Sequence, residues 1–458
     1  MFDVLIIGAG LSGLQAAYSS QQAGLSVAVV EARNRVGGKV WSVTLASAQG
    51  VADLGAAWVN LNTQKRMAKY TRQFGLETVT QRLEGKAVMQ EGKNERMEFP
   101  FGITPNFAAE DKKDLERIRD HVQKESLKRE PPRPEDDNLT LDQYIRNLDA
   151  RDKTIKMINV WAQVMHGVNS TEESAAFFID YCRTNGGLFS IRADDKTGGQ
   201  HQRLVKGTQQ YAEGLADLVG RQHIHLSQPV ASVQDLGRHI TVTTTHGTVF
   251  HGRRCILSIP SAMYKGLNIT PPLPPPNRSV YDSTKLGHYN KCIVMYRKPW
   301  WRDLGFNGFF ISYNGPVNIG RDTSVDTKGV YALTCFVNGS NGAEWSKLYP
   351  HERRKAVIEQ LAQVYNVGDK RDADVYHPSE VYDFVWKHEP FSQGALAPIT
   401  DIGHYTKYAD VYGKPVGNLH FVGTEYSKEW KGYMEGALCS GEKGAAEVSE
   451  ALRLRPRL

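Results

Sequence analysis

Four short, nearly unbroken apolar runs stand out along the chain, at residues 4–7, 26–30, 255–259 and 419–422. Runs of this kind suit strands covered on both faces of a sheet. Elsewhere the period changes. Residues 230–260 alternate apolar and polar positions, as antiparallel strands with one wet face do, before ending in the run at 255–259. Residues 156–182 show helical spacing over two stretches, and 432–452 predicts a closing helix. Residues 85–155 are charged and read as helix or loop, with REPPRPEDDN at 129–138 as an exposed break. PPLPPPN at 271–277 predicts a stiff extended connector, and 380–398 mixes strand and loop. No internal repeat is visible.

The first two runs are joined by the most informative segment. After 4–7 comes Gly8-x-Gly10-x-x-Gly13, then a stretch of helical character from Leu11 closed by Gly24. The second run ends at Glu31, 18 positions past the third glycine. Gly8 permits a tight turn, Gly10 lets backbone approach a pyrophosphate, and Gly13 allows helix and strand to touch. The helix start then offers free N–H groups to phosphate, and Glu31 would accept from a ribose diol. A bare glycine pattern is weak, but here strand, turn, helix, strand and acid all stand in order.

The strand 419–422, followed by Gly-Thr-Glu, lies far from this unit in sequence. One ligand touching both requires a nucleotide domain assembled from separated pieces. The expected fold class is therefore α/β (α+β overall). A Rossmann-like dinucleotide-binding domain expected from 1–80, 205–270 and 390–452 is interrupted by a substrate-binding domain of mixed sheet and helices from 81–204 and 271–389, with 453–458 as a tail.

Composition changes little in this picture. The 458 residues exceed one compact core, and 40% hydrophobic with 23% charged is ordinary for a globular protein. The net charge of +6 is scattered, without a basic stripe interleaved with aromatics, so no nucleic acid partner is expected. The mixed charges of 112–133 predict solvated helix followed by loop. Cys182, Cys255, Cys292, Cys335 and Cys439 show no metal-ligand spacing, so no metal is expected and a reducing compartment is. No window reaches the roughly 18 apolar residues of a membrane span. Met1 leads straight into a strand, without a secretory signal. A cytoplasmic location is expected, although Pro456-Arg457-Leu458 matches a peroxisomal address at two positions. The oligomeric state is open, a homodimer included.

One residue conflicts with its surroundings. HYNKCIVMY, at 288–296, places Lys291 inside an apolar strand-like run. Its amine either reaches water along an apolar stem or is held inside for a purpose.

Read together, these segments resemble the flavin-containing amine oxidases of the monoamine oxidase kind. The similarity covers nearly the whole chain, through EARNRVGGKVWS (31–42), ADLGAAWV (52–59), LVKGTQQ (204–210), PPLP (271–274), NKCIVMY (290–296), VGTEY (422–426) and WKGYMEGA (430–437). The resemblance implies FAD in a two-domain fold. Glu31 would hold the adenosine ribose, and Val230 would meet the adenine by its backbone. Arg33, Gly38 and Lys39, with Ala57 and Trp58, would lie along the diphosphate and flavin; the family usually has arginine where Lys39 stands. Gly423 and Glu425 would approach the ribityl and phosphates. Met434 and the helix start after Gly432 would face the flavin pyrimidine. Lys291 aligns with a lysine that reaches the flavin N5 through a water, and there it would stabilise negative charge during oxygen reduction.

Two departures qualify the resemblance. Members with covalent flavin attach it to a cysteine in a SGGCY-type loop; SQGAL at 392–396 puts Ala395 there, so FAD should be non-covalent. The next position usually holds one aromatic of a pair that sandwiches the amine, and here it is Leu396, with Tyr433 as the remaining member. No arginine lies between Asp53 and Gln64, which disfavours an α-carboxylate substrate. Trp386 matches a tryptophan beside the flavin. Phe189 and Ile191 are candidate walls of the substrate cavity, and His166 reads as structural.

The resulting expectation is oxidation of a small-molecule amine by hydride transfer to flavin, with O2 reduced to H2O2 and an imine released. Leu396 keeps a second reading open, a carbon–carbon desaturase or tailoring oxidase on the same fold. A third is a flavin-binding scaffold without turnover.

Overall fold

The computed structural model describes residues 1–453 apart from 48, 129, 367, 369 and 370. The tripeptide 456–458 lies outside the described residues. The apolar run at the N-terminus becomes the strand Phe2–Ile7, whose residues 4–6 are wholly buried. Val27–Val30 lies parallel on one side of it and Val249–Leu257 parallel on the other. Ile224–His225 extends the sheet beyond Val27–Val30.

The strand Val249–Leu257 changes partner along its length. Its first half pairs antiparallel with Ile240–Thr244, and Cys255–Leu257 pairs parallel with Leu419–Phe421. This strand therefore joins the amino-terminal, middle and carboxy-terminal stretches of the chain in one eight-stranded sheet. Val230–Asp235 and Asn268–Thr270 complete it. Helices Leu11–Gln22, Gln209–Val219 and Met434–Arg453 contribute to the core built on Val4, Ile6, Val27 and Val29. A Cβ on Gly441 would lie 2.4 Å from the Ser12 carbonyl oxygen, so glycine is what lets the first and last helices approach.

The second large sheet has seven strands, in the order Glu380–Phe384, Tyr289–Tyr296, Tyr331–Asn338, Ile319–Asp322, Phe306–Ser312, Lys86–Gln90 and Arg96–Pro100. Period two sorts the strand Tyr289–Tyr296 by face. Cys292, Val294 and Tyr296 enter a core with Trp300, Trp301 and Val357, while Ile293 and Met295 pack on Leu45, Ala52 and Leu54 from the first lobe. Lys291 shares the face of Ile293, turned toward that lobe.

Two expectations change here, and a third is met with shifted ends. Within 85–155 the strands Lys86–Gln90 and Arg96–Pro100 form a hairpin at the sheet edge. Only Ala87, Val88 and Met89 are apolar and buried in the first, too short a run to stand out among charges. The proline run at 271–277 is not extended throughout: Pro275–Ser283 is helical, with prolines in the first turn, where a missing N–H costs nothing. The two helices expected in 156–182 are Asp152–His166 and Ala175–Thr184, parted by Gly167 at a φ of 71°.

Candidate active site

A cavity of about 430 Å³ lies between the two large sheets. Its floor is the turn after Phe2–Ile7. Gly8 has a φ of 102°, open to glycine and strained for other residues. Gly10 caps the helix Leu11–Gln22 with no side chain on its free N–H groups, and a Cβ added there would meet nothing within 4 Å. Gly8 and Gly10 line the cavity. Gly13 lies behind it, where a Cβ would come within 2.0 Å of the Gly8 carbonyl oxygen and 2.9 Å of Ser258 Oγ.

Around this turn stand the charged groups. Glu31 is buried; its Oε2 accepts from the Ala9 N–H at 2.6 Å and its Oε1 from the Arg33 N–H at 2.8 Å. The Arg33 guanidinium pairs with Glu389 and donates to Ser392 Oγ at 2.9 Å. Lys39 donates to the Leu396 carbonyl oxygen. Burial lowers the Lys39 pKa and raises that of Glu425, and each opposes the other's shift by its charge. Glu425 Oε1 accepts from the Ser261 N–H at 3.1 Å. Gly38, Ala57, Val230, Gly423 and Met434 also line the cavity.

Lys291 lines the cavity from the second lobe and is 4% exposed. Its Nζ donates to the carbonyl oxygens of Asp53, at 3.0 Å, and Gly55. Burial lowers its pKa to about 8, against the pull of the Asp53 carboxylate. Nζ stands 5.4 Å from the ring centroids of both Trp58 and Phe336. Trp386, 2% exposed, donates from Nε1 to the Leu54 carbonyl oxygen at 3.0 Å and sets its ring edge-on to Phe384. Leu396 and Tyr433 line the same space. Tyr433 is stacked beside Tyr181, its hydroxyl accepts from Gln200 Nε2 at 3.2 Å, and burial raises its pKa to about 12.

The structure does not bring Phe189 and Ile191 to this cavity. Phe189 is 46% exposed, under the Arg119 guanidinium, and Ile191 packs in the core of the helical group. Both sit on the short helix Leu188–Arg192, whose apolar side faces helices and not the cavity. His166 is fully buried, with Nδ1 2.6 Å from Glu173 Oε2. Among the wall residues not singled out in the sequence are the two aromatics nearest Lys291 in the sheet, Tyr289 and Phe336. Tyr289 is two residues before Lys291 on the same strand face, a signal that period two supplies. Phe336 is directly opposite Lys291 on the neighbouring strand, which only the register reveals. Among the described residues, no group of His, Cys, Asp and Glu is arranged to hold a metal ion, and no helix is long and apolar enough to cross a membrane.

A glycine turn at a bare helix start, opening into a cavity lined from two lobes, is the arrangement of a nucleotide-binding fold. A profile described as flavin containing amine oxidoreductase matches residues 11–449, and the chain belongs to that family. The family implies a flavin cofactor. A probable flavin-containing monoamine oxidase A of Dictyostelium discoideum is 30% identical over 460 aligned residues, covering 99% of this chain and 98% of that protein. A flavin-containing amine oxidase of Danio rerio is 30% identical over 98% of this chain and 86% of its own. Among solved structures, wild-type putrescine oxidase bound to putrescine superposes with a TM-score of 0.89 at 26% identity, over 98% of both chains. Cyclohexylamine oxidase from Brevibacterium oxydans shares the fold, with a TM-score of 0.90 at 23% identity.

Proposed function

We propose that the chain binds FAD without a covalent link and oxidises the C–N bond of an amine, releasing an imine and passing electrons to O2 to give H2O2. The observation that carries this reading is the buried Lys291 ammonium at the cavity wall, facing a glycine turn able to hold a dinucleotide. The turn fits that ligand because Gly10 leaves open space at a helix start with no capping side chain. Glu31 would accept from the adenosine ribose, Val230 would meet the adenine, and Lys39 with Glu425 would flank the phosphates and ribityl chain. Arg33 would act through Glu31 and Ser392, and Gly38, Ala57, Gly423 and Met434 would present backbone.

When bound, the flavin supplies the acceptor for the electron pair of the C–N carbon. The chain's own residues bind and orient. Trp58, Tyr289, Phe336, Leu396 and Tyr433 form an apolar wall that desolvates the amine, and Trp386 closes the space beside Leu54. The two carboxylates lining the cavity, Glu31 and Glu425, are assigned to the cofactor, and the amine enters neutral with its proton left in bulk water, so no side-chain base is needed. Lys291 supplies a fixed positive charge on which reduction of oxygen draws.

The test is anaerobic mixing of flavin-loaded protein with a panel of alkyl- and arylamines, followed by admission of oxygen and assay of peroxide. Bleaching by amines with stoichiometric peroxide is expected. Colour unchanged by every amine, with bleaching by a carbon substrate lacking nitrogen, would replace amine oxidation by carbon–carbon desaturation.

A further inference from the structure

Tyr433 reaches the cavity from a tight turn, residues 430–433, that leads into the helix Met434–Arg453. The Tyr433 N–H closes the turn on the Trp430 carbonyl oxygen at 3.0 Å. Trp430 and Gly432 are both left-handed, with φ of 51° and 85°. A Cβ on Gly432 would come within 2.8 Å of Tyr181 Cε2, so the turn lies directly on that ring, the one stacked beside Tyr433. The Trp430 ring stands edge-on to Tyr433, with centroids 5.1 Å apart.

Three hydrogen bonds fasten this turn to the helix Ala175–Thr184 and the residue after it. The Trp430 N–H donates to the Thr184 carbonyl oxygen at 2.9 Å, and Asn185 Nδ2 donates to the Lys431 carbonyl oxygen at 3.0 Å. The third is a buried ion pair: Lys431 Nζ donates to Asp180 Oδ2 at 2.9 Å, and the two residues are 6% and 4% exposed. The Tyr405 hydroxyl joins them, donating to Asp180 Oδ2 and accepting from Lys431 Nζ. Asp180 Oδ1 accepts from Arg183 Nε at 2.8 Å. Neither Asp180 nor Lys431 lines the cavity, but Gly432 and Tyr433, which follow Lys431 directly in the chain, do.

Stability alone does not account for an ion pair in this place. Taking two charges out of water offsets most of their attraction, and apolar side chains of similar volume hold buried elements together as well. The pair supplies direction instead. Lys431 sits between two left-handed residues, and a bond from its side chain fixes the rotation of the turn and with it the plane of the Tyr433 ring.

We propose that the Asp180–Lys431 ion pair positions Tyr433, locking the turn so that the ring meets the amine at one distance and one angle. The inference rests on the amine-oxidising reading above. Asp180 and Lys431 are positioning residues, and Tyr433 carries their effect to the substrate.

The test compares holoenzymes of the parent, Lys431→Met, Lys431→Arg, Tyr433→Leu and the double variant of Lys431→Met with Tyr433→Leu. Lys431→Met strands no charge, since Asp180 keeps Arg183 and Tyr405. Benzylamine and hexylamine are mixed anaerobically, reoxidation by oxygen is followed separately, and benzamide, an unreactive ring, is titrated against the flavin absorbance. In Lys431→Met reduction by amine should slow by about 10- to 100-fold, the scale of a misplaced orienting group, while reoxidation is unchanged. Lys431→Arg should restore most of the rate. In the Tyr433→Leu background Lys431→Met should add nothing further to the reduction rate or to the benzamide dissociation constant, because residues acting through one ring are not additive. Losses that multiply in the double variant, equal slowing of both half-reactions, or unaltered reduction in Lys431→Met overturns the proposal. Should Lys431→Met fail to fold, Lys431→Gln carries the same comparison. If neither amine reduces the parent's flavin, amine oxidation fails as the function, while the benzamide titrations still decide whether Lys431 acts through Tyr433.

Discussion

Lys291 is restrained by two main-chain carbonyls and forms no ion pair among the described residues, so its charge is positioned without being neutralised. Lys291→Met should slow reoxidation of the reduced enzyme by oxygen by about 100-fold or more, the scale for losing one preorganised charge or donor, and should slow anaerobic reduction by amine far less. In the parent enzyme reoxidation should fall as pH rises through about 8, where the ammonium is lost, and the variant should show no such step. Stopped-flow measurement of both half-reactions against pH checks this; equal slowing of both removes Lys291 from the oxygen step. Stability follows from the same shift. The folded pKa lies below the unfolded value of 10.5, so the unfolded chain binds more protons between about pH 8 and 10.5 and stability rises across that window. The depressed lysine costs on the order of 3 kcal/mol at neutral pH. Apo Lys291→Met should therefore resist urea better than apo parent at pH 7, with the gap closing toward pH 10.5. A variant less stable than the parent at pH 7 would refute the desolvation argument.

At the scale of elements, the glycine turn separates two roles that one motif name merges. Gly10→Ala should leave the stability of the apoprotein within about 0.5 kcal/mol, because its φ of −72° suits any residue and the added methyl meets nothing. It should nevertheless weaken flavin binding, since that methyl fills the open space at the helix start. Gly13→Ala should destabilise the apoprotein itself by about 1–3 kcal/mol, as overpacking does, by forcing the helix off the Gly8 carbonyl. Urea titration of both apoproteins with flavin titration of both separates the effects, and identical behaviour would show that the turn acts as one unit. This segment was legible because strand, turn and helix are all local. The hairpin of Lys86–Gln90 and Arg96–Pro100 was not, since its buried part is three residues among charges. Pro275–Ser283 was misjudged because proline reads alike in an extended linker and in a first helical turn. The pairings of Lys291 with Phe336 and of Arg321 with Thr334 depend on register across strands, which periodicity in one strand does not encode.

At the scale of the molecule, both lobes contribute to one cavity, so flavin should bind the folded chain alone, stabilise it by about 2.7 kcal/mol at 100 times Kd and raise its melting temperature with concentration. Acid precipitation should then release the colour to the supernatant, because Ala395 offers no thiol to hold it; colour retained in the pellet would contradict a dissociable cofactor. The strand Val249–Leu257 is held on one edge by the chain's beginning and, along a third of the other, by Leu419–Phe421. During synthesis the glycine turn emerges first and waits for partners made hundreds of residues later. The nascent polypeptide should not retain flavin until Leu419–Phe421 and the helix Met434–Arg453 have left the ribosome, and a ribosome stalled before residue 419 should display a colourless chain.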